Sequence, residues 1–188
     1  MDGDGIPWRT LPGAHPTKGS YFTRGTTRDE YARYSEAGPD YLYNVQRLLK
    51  KFATAATLVP QPVLRTAGQP TRLGVIHFGS TSPAMAEALD ALGEADIHID
   101  ALRLRAFPFS DTVRQFIAGH DRVFVVEQNR DAQMRSMLVN ELEVDPARLL
   151  PVLNYDGTPI TARFITGAIT RHVHELAFKP RKKSRVKA

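Results

Sequence analysis

Glu127, Asn129 and Gln133 are the residues of this chain best placed, by type and spacing, to do chemistry. A carboxylate can hold or move a proton, and carboxamides beside it can orient it or a ligand. The trio follows an unbroken apolar run, Val123 to Val126. It overlaps the start of a helical pattern in which Met134, Met137, Leu138 and Leu142 fall at the i, i+3, i+4, i+8 spacing. A short apolar run of this kind suits a central parallel strand covered on both faces. In open α/β sheets the turn beyond the carboxyl end of such a strand is where ligands and partners are met. A carboxylate directly after a buried strand is less usual than an apolar residue, so Glu127 is expected to do more than meet solvent. Asn129 or Asp131 is a natural cap for the helix, and Gln133, one turn on, is expected to point back towards the strand end. General-base work by Glu127 requires substrate to reach it, and nothing in the sequence supplies that access.

A second polar turn, Gly79, Ser80, Thr81 and Ser82, lies between another apolar run and another helical pattern. Glycine permits a tight turn, and the hydroxyls with the helix N–H groups form a possible anion cradle. The turn lacks both G-x-x-x-x-G-K and G-x-G-x-x-G, so no nucleotide type is specified. Ordinary capping by Ser80 or Ser82, with Pro83 at the first helical position, is the plainer expectation. The histidines predict no metal site: His172 and His174 are two apart on a helical pattern, and His77, His98 and His120 are dispersed. There is no G-x-S-x-G elbow. No catalytic residue and no metal ligand is therefore assigned.

The elements that must position these turns alternate. Apolar runs at Leu73–Phe78, Ile97–Leu104, Val123–Val126 and Leu149–Leu153 are separated by helical patterns. These carry Met85, Leu89 and Leu92; then Val113, Phe116 and Ile117 after a Ser110 cap; then Met134 to Leu142. A last helix is expected to open at Thr158-Pro159 and to bear Phe164, Ile165, Ala168, Ile169 and Leu176. Strands alternating with helices predict a doubly wound, mainly parallel α/β sheet of about four strands over residues 71–178.

Ahead of that domain the rhythm is different. Residues 1–38 carry Gly or Pro every few positions around Trp8, Tyr21, Phe22, Tyr31 and Tyr34, with no lasting period. Such an aromatic-rich irregular arm is expected to pack on something else. Pro39 opens a helix with an apolar stripe of Tyr41, Val45, Leu48, Leu49 and Phe52. Pro60, Pro62, Gly68 and Pro70 then mark a linker. The expected division is the end of a preceding domain at 1–57, a linker at 58–70, the α/β domain at 71–178 and a basic tail at 179–188.

Composition narrows the classes. The 188 residues are 42% hydrophobic and 24% charged, as in an ordinary globular chain. No apolar run approaches the ~18 residues a membrane span needs, and no secretory signal opens the sequence. With no Cys, the chain itself can hold no disulfide, thiolate nucleophile or iron–sulfur cluster. An intracellular, cytoplasmic protein is expected. The net charge of +5 belongs to the end of the chain: Lys179, Arg181, Lys182, Lys183, Arg185 and Lys187 occur without an acid, leaving 19 basic against 20 acidic residues elsewhere. A solvated disordered tail is expected there rather than a nucleic-acid contact, since no aromatics or binding motif accompany it.

Several segments in order resemble one family. Residues 5–13 (GIPWRTLPG), 15–25 (HPTKGSYFTRG) and 29–31 (DEY) are similar to part of the alpha subunit of the 2-oxoacid:ferredoxin (acceptor) oxidoreductases, 2-oxoglutarate type. Residues 106–109 (AFPF), 123–129 (VFVVEQN) and 156–160 (DGTPI) are similar to its downstream domain. The resemblance implies the last part of a pyrimidine-binding domain followed by a domain like the transketolase C-terminal domain. It implies a complex that converts a 2-oxoacid and coenzyme A to acyl-CoA and carbon dioxide. That complex uses thiamine diphosphate, magnesium and iron–sulfur clusters and passes electrons to ferredoxin. Partners would be the remainder of the alpha subunit and the beta subunit, and no cofactor would be bound by this chain alone. The family's substrate-binding Tyr-Pro-Ile-Thr-Pro motif does not occur here, and Ala132 replaces a glycine of its E-x-N-x-G-Q pattern. Glu127, Asn129 and Gln133 carry over as an interface or structural site, and the chain alone is expected to be inactive. The alternative is a stand-alone α/β module binding an anionic ligand at Gly79–Ser82.

Overall fold

The computed structural model describes residues 3–19, 25 and 27–178. Tyr21 and Phe22 of the arm and the basic stretch from Lys179 lie outside the described residues. The chain divides into two compact units, Met1–Val59 and Pro60–Ala188.

The first unit is built on one helix, α1 (Gly38–Leu58). The arm lies along the helix's polar side: Arg47 Nη1 donates to the Gly5 carbonyl at 3.1 Å, and Thr54 Oγ1 donates to the Asp4 carbonyl at 2.7 Å. Asn44 Nδ2 donates to the Arg28 carbonyl at 2.7 Å. Gly5 makes the close approach possible. Its φ is +78°, and a Cβ there would sit 2.7 Å from the Lys51 nitrogen. The opposite, apolar side is bare: Tyr41, Val45, Leu48, Leu49 and Phe52 are all exposed, and α1 buries no residue.

The second unit is a five-stranded sheet, one strand more than the sequence predicts. The strands are β1 (Val63–Arg65), β2 (Leu73–Phe78), β3 (Asp100–Leu104), β4 (Arg122–Glu127) and β5 (Leu149–Leu153). Their order is β1-β3-β2-β4-β5, and every pairing is parallel except β1 with β3. The extra strand lies in the stretch expected to be a linker. Prolines at 60, 62 and 70 hide it, but they flank Val63–Arg65 rather than interrupt it, as an edge strand allows. β3 is shorter than the predicted run, because Ile97–Ile99 leads in from a turn.

Pleat alternation builds two cores. Val75, Phe124 and Val126 face one layer, α2 (Ser82–Glu94) and α5 (Ala162–Phe178), whose Met85, Ala88, Leu92, Ile165 and Ile169 are buried. Ile76, Val123 and Val125 face the other layer, α3 (Asp111–Gly119) and α4 (Gln133–Leu142), with Phe116, Ile117, Leu138 and Leu142 inside. Helices on both faces of a largely parallel sheet make the doubly wound α/β fold.

Some helix ends differ from expectation. Ser110 precedes α3 in the capping position, yet its hydroxyl makes no cap bond. α5 begins at Ala162, later than Thr158-Pro159, because Asp156 Oδ1 accepts from both the backbone nitrogen and hydroxyl of Thr158 and closes a turn there. Thr161 Oγ1 then accepts from the Phe164 nitrogen at 3.2 Å.

Candidate functional site at the switch point of the sheet

β2 and β4 are neighbours, but the chain leaves β2 for β3 on one side and returns to β4 on the other. The direction of winding reverses between them. In open α/β sheets the crevice outside the carboxyl ends of such a strand pair is the habitual ligand position. The two polar turns singled out in the sequence leave the carboxyl ends of these two strands. They meet: Gln128 Nε2 donates to the hydroxyls of Ser80 and Thr81, each at 3.1 Å. Between them lies a crevice of about 420 Å³ lined by Phe78, Gly79, Ser80, Thr81, Glu127, Gln128, Asn129, Gln133, Met134 and Met137.

Glu127 ends β4 and is completely buried. Its Oε2 accepts from Asn129 Nδ2 at 2.8 Å and from the Met134 nitrogen at 2.7 Å, while Oε1 accepts from the Arg135 nitrogen at 2.9 Å. The first turn of a helix leaves its N–H groups without intrahelical partners, and the helix dipole is positive there. The Glu127 carboxylate therefore caps α4 from the strand below, with charge-assisted bonds that repay its burial. Its backbone oxygen also accepts from the Asn154 nitrogen at 2.9 Å, holding the turn after β5.

Asn129 is engaged too. Its Oδ1 accepts from the Asp131 nitrogen at 3.1 Å and the Gln133 nitrogen at 3.3 Å. Asp131 makes no cap bond and instead receives Arg130 Nε at 2.7 Å. Ala132 immediately precedes α4 with φ 50° and ψ 47°, the left-handed region that favours glycine. Gln133 is exposed and lines the crevice with its side chain. Arg135 turns away, donating to the carbonyls of Leu149 and Pro146, each at 2.8 Å. The expected apolar stripe of α4 divides: Leu138 and Leu142 are buried, whereas Met134 is half-buried and Met137 is exposed at the crevice.

At the other turn, Gly79–Thr81 forms a 3-10 turn that runs into α2. Ser82 Oγ donates back to the Gly79 carbonyl at 3.0 Å, so it braces the turn without capping the helix. Thr81 is buried. Together the two turns assemble one polar rim, with Glu127 as its single acidic side chain, beside the apolar Phe78, Met134 and Met137.

Sequence reasoning assigned no role to two buried histidines of this domain. His77, next to the carboxyl end of β2, is 7% exposed, and its Nδ1 has no hydrogen-bond partner. Burial, reinforced by the Arg103 charge, lowers its pKa to about 4. At the opposite, amino ends of the strands, His120 Nδ1 lies 2.7 Å from the Phe116 carbonyl and Nε2 lies 3.2 Å from Asp100 Oδ2. Asp100 Oδ1 also accepts from the Ala67 nitrogen at 2.8 Å. The Asp100 contact could not be found from spacing, since 20 residues of sequence separate it from His120, and His77 has no hydrogen-bond partner at Nδ1 to look for. Among the described residues no group of three His, Asp or Glu is gathered as a metal site requires, and no helix is long and apolar enough to cross a membrane.

The fold and crevice define a class, a doubly wound α/β domain with a polar crevice at its switch point. No protein-family model and no curated protein matches the chain. Over 92% of its length it is similar to 2-oxoglutarate:ferredoxin oxidoreductase from Magnetococcus marinus with 2-oxoglutarate, coenzyme A and succinyl-CoA bound, at 17% identity and a TM-score of 0.78. The chain spans 30% of that protein's length. Looser overlaps, over 61% of the chain each, occur with a split-gene transketolase in an inactive beta4 tetramer (16% identity, TM-score 0.49) and with the alpha chain of a probable 2-oxoacid ferredoxin oxidoreductase from Thermoplasma acidophilum (22% identity, TM-score 0.41).

Proposed function

We propose that this chain is the C-terminal part of the alpha subunit of a thiamine diphosphate-dependent 2-oxoglutarate, or other 2-oxoacid, ferredoxin oxidoreductase, and serves assembly rather than chemistry. The complete complex would convert 2-oxoacid, coenzyme A and oxidised ferredoxin to acyl-CoA, carbon dioxide and reduced ferredoxin, in the cytoplasm. The observation that carries the family reading is the TM-score of 0.78 over 92% of the chain, with both polar turns on one crevice. The assembly role is supported by Glu127, whose carboxylate is buried and satisfied by three donors. It acts as a pin between β4 and α4.

The cofactors of such a complex do not fit this chain's own residues. Iron–sulfur clusters need thiolates, and the sequence has no Cys. A diphosphate needs countercharge, and the crevice lining has no Lys, Arg or His. The clusters would therefore sit on the rest of the complex, and the diphosphate outside this crevice. The bare apolar stripe of α1 supports a partner as well. Leu49 is 67% exposed and Phe52 54%, surface that an assembled neighbour would cover.

The test is reconstitution. The purified chain alone should give no 2-oxoglutarate-dependent reduction of a viologen. Activity should appear only when it is co-expressed with the remainder of the alpha subunit and the beta subunit. Turnover by the chain alone would overturn the assembly role.

A further inference from the structure

The switch-point crevice offers a ligand something other than a phosphate site. Its one acidic side chain is Glu127, and the α4 N–H groups at Met134 and Arg135 are already spent on it. Asn129 is spent on Glu127 and on the Asp131 and Gln133 nitrogens. The two flanking arginines are turned to other acceptors, Arg130 to Asp131 and Arg135 to two carbonyls. An anion entering here would meet a buried carboxylate without a cation to offset it.

What remains open is neutral. Gln128 keeps its carbonyl oxygen after donating its amide to Ser80 and Thr81. Gln133 presents both a donor and an acceptor, and Ser80 retains its hydroxyl hydrogen. Phe78, Met134 and Met137 supply a soft apolar wall, and thioether sulfurs pack well against aromatic rings. The geometry points to an uncharged, planar, two-ring heterocycle with donor and acceptor edges, a purine nucleoside, as the ligand class of this crevice. The ring lies against Met134, Met137 and Phe78, and its edge exchanges hydrogen bonds with Gln133 and Gln128. A volume of about 420 Å³ accommodates a ligand of that size. This goes beyond the assembly role and does not depend on it, because it concerns the chain by itself.

The experiment uses the full chain with ¹³C-methyl-labelled methionine, titrated with adenosine and, separately, with inorganic phosphate and pyrophosphate. Adenosine should shift the Met134 and Met137 methyl signals saturably while Met85, buried in the opposite core, stays still. Gln133→Ala, at an exposed position whose backbone bond is retained, should weaken adenosine roughly tenfold, the loss of about one ligand hydrogen bond. An unchanged Met85 signal would show that this variant is folded. Shifts with phosphate or pyrophosphate and none with adenosine would overturn the inference in favour of an anion site. No shift with any of the three at millimolar concentration would overturn it outright, as would unaltered adenosine binding in folded Gln133→Ala.

Discussion

Replacing Glu127 by Gln removes one charge and leaves the shape almost unchanged, so it isolates what the carboxylate does. The native group accepts from three donors, two on Oε2 and one on Oε1. A carboxamide can accept at one end only. With its oxygen towards Asn129 and Met134, its own N–H₂ opposes the Arg135 N–H; flipped, it opposes the other two. Losing one charge-assisted bond costs about 1.5–3 kcal/mol, and the buried donor left behind adds about 1–3. The sum, about 2.5–6 kcal/mol, is a large part of the ~5–15 kcal/mol that typically holds a domain together. Urea unfolding followed by far-UV circular dichroism should therefore show a much lower midpoint for Glu127→Gln. Amide hydrogen exchange should accelerate first at Met134 or Arg135, whichever nitrogen then faces the carboxamide N–H₂. The exposed neighbour Asp131→Asn should stay within about 0.5 kcal/mol of wild type. The reasoning fails if Glu127→Gln is as stable as Asp131→Asn and both amides keep their protection.

Ala132→Gly should stabilise the second unit. Relief of the left-handed conformation is worth about 1–2 kcal/mol, less about 0.5–1 for the freer unfolded glycine, a net gain that a shifted urea midpoint would report. His77 makes stability fall with acidity. The unfolded histidine takes a proton near pH 6.5, whereas the buried one resists until about 4, so up to about 3 kcal/mol is lost as pH drops through that interval. Denaturation curves at pH 7 and pH 4.5 should converge more closely in His77→Gln than in wild type; an unchanged gap would refute this. Gly74→Ala should destabilise by about 1–3 kcal/mol, since its Cβ would lie 2.9 Å from the Phe116 ring and 3.2 Å from His120; thermal melting reads that directly.

The legible parts of the chain were those whose signal is local. Leu73–Phe78 and Leu149–Leu153 appear as strands because four to six apolar residues bounded by polar turns suit a covered parallel strand. Val63–Arg65 escaped because three residues among prolines carry too little periodicity, and pairing with β3 alone makes them a strand. Ser110 and Ser82 had the right type for caps, yet neither bonds its helix. The α4 cap comes from Glu127, seven residues before Met134, by a route no capping rule contains.

The sequence by itself determined the α/β class, the two polar turns and the unusual carboxylate at the end of a buried run. Each of these depends on residues within one turn or one strand of each other. Only the tertiary structure decided that the turns share a crevice, that the Glu127 carboxylate meets the first turn of α4, and that no Lys, Arg or His lines the crevice. Those outcomes follow from the strand order, which places β2 beside β4 with 43 residues of chain between Phe78 and Arg122. Hydrophobic periodicity tells a strand which face to bury, but it carries no information about which neighbour it will pair with.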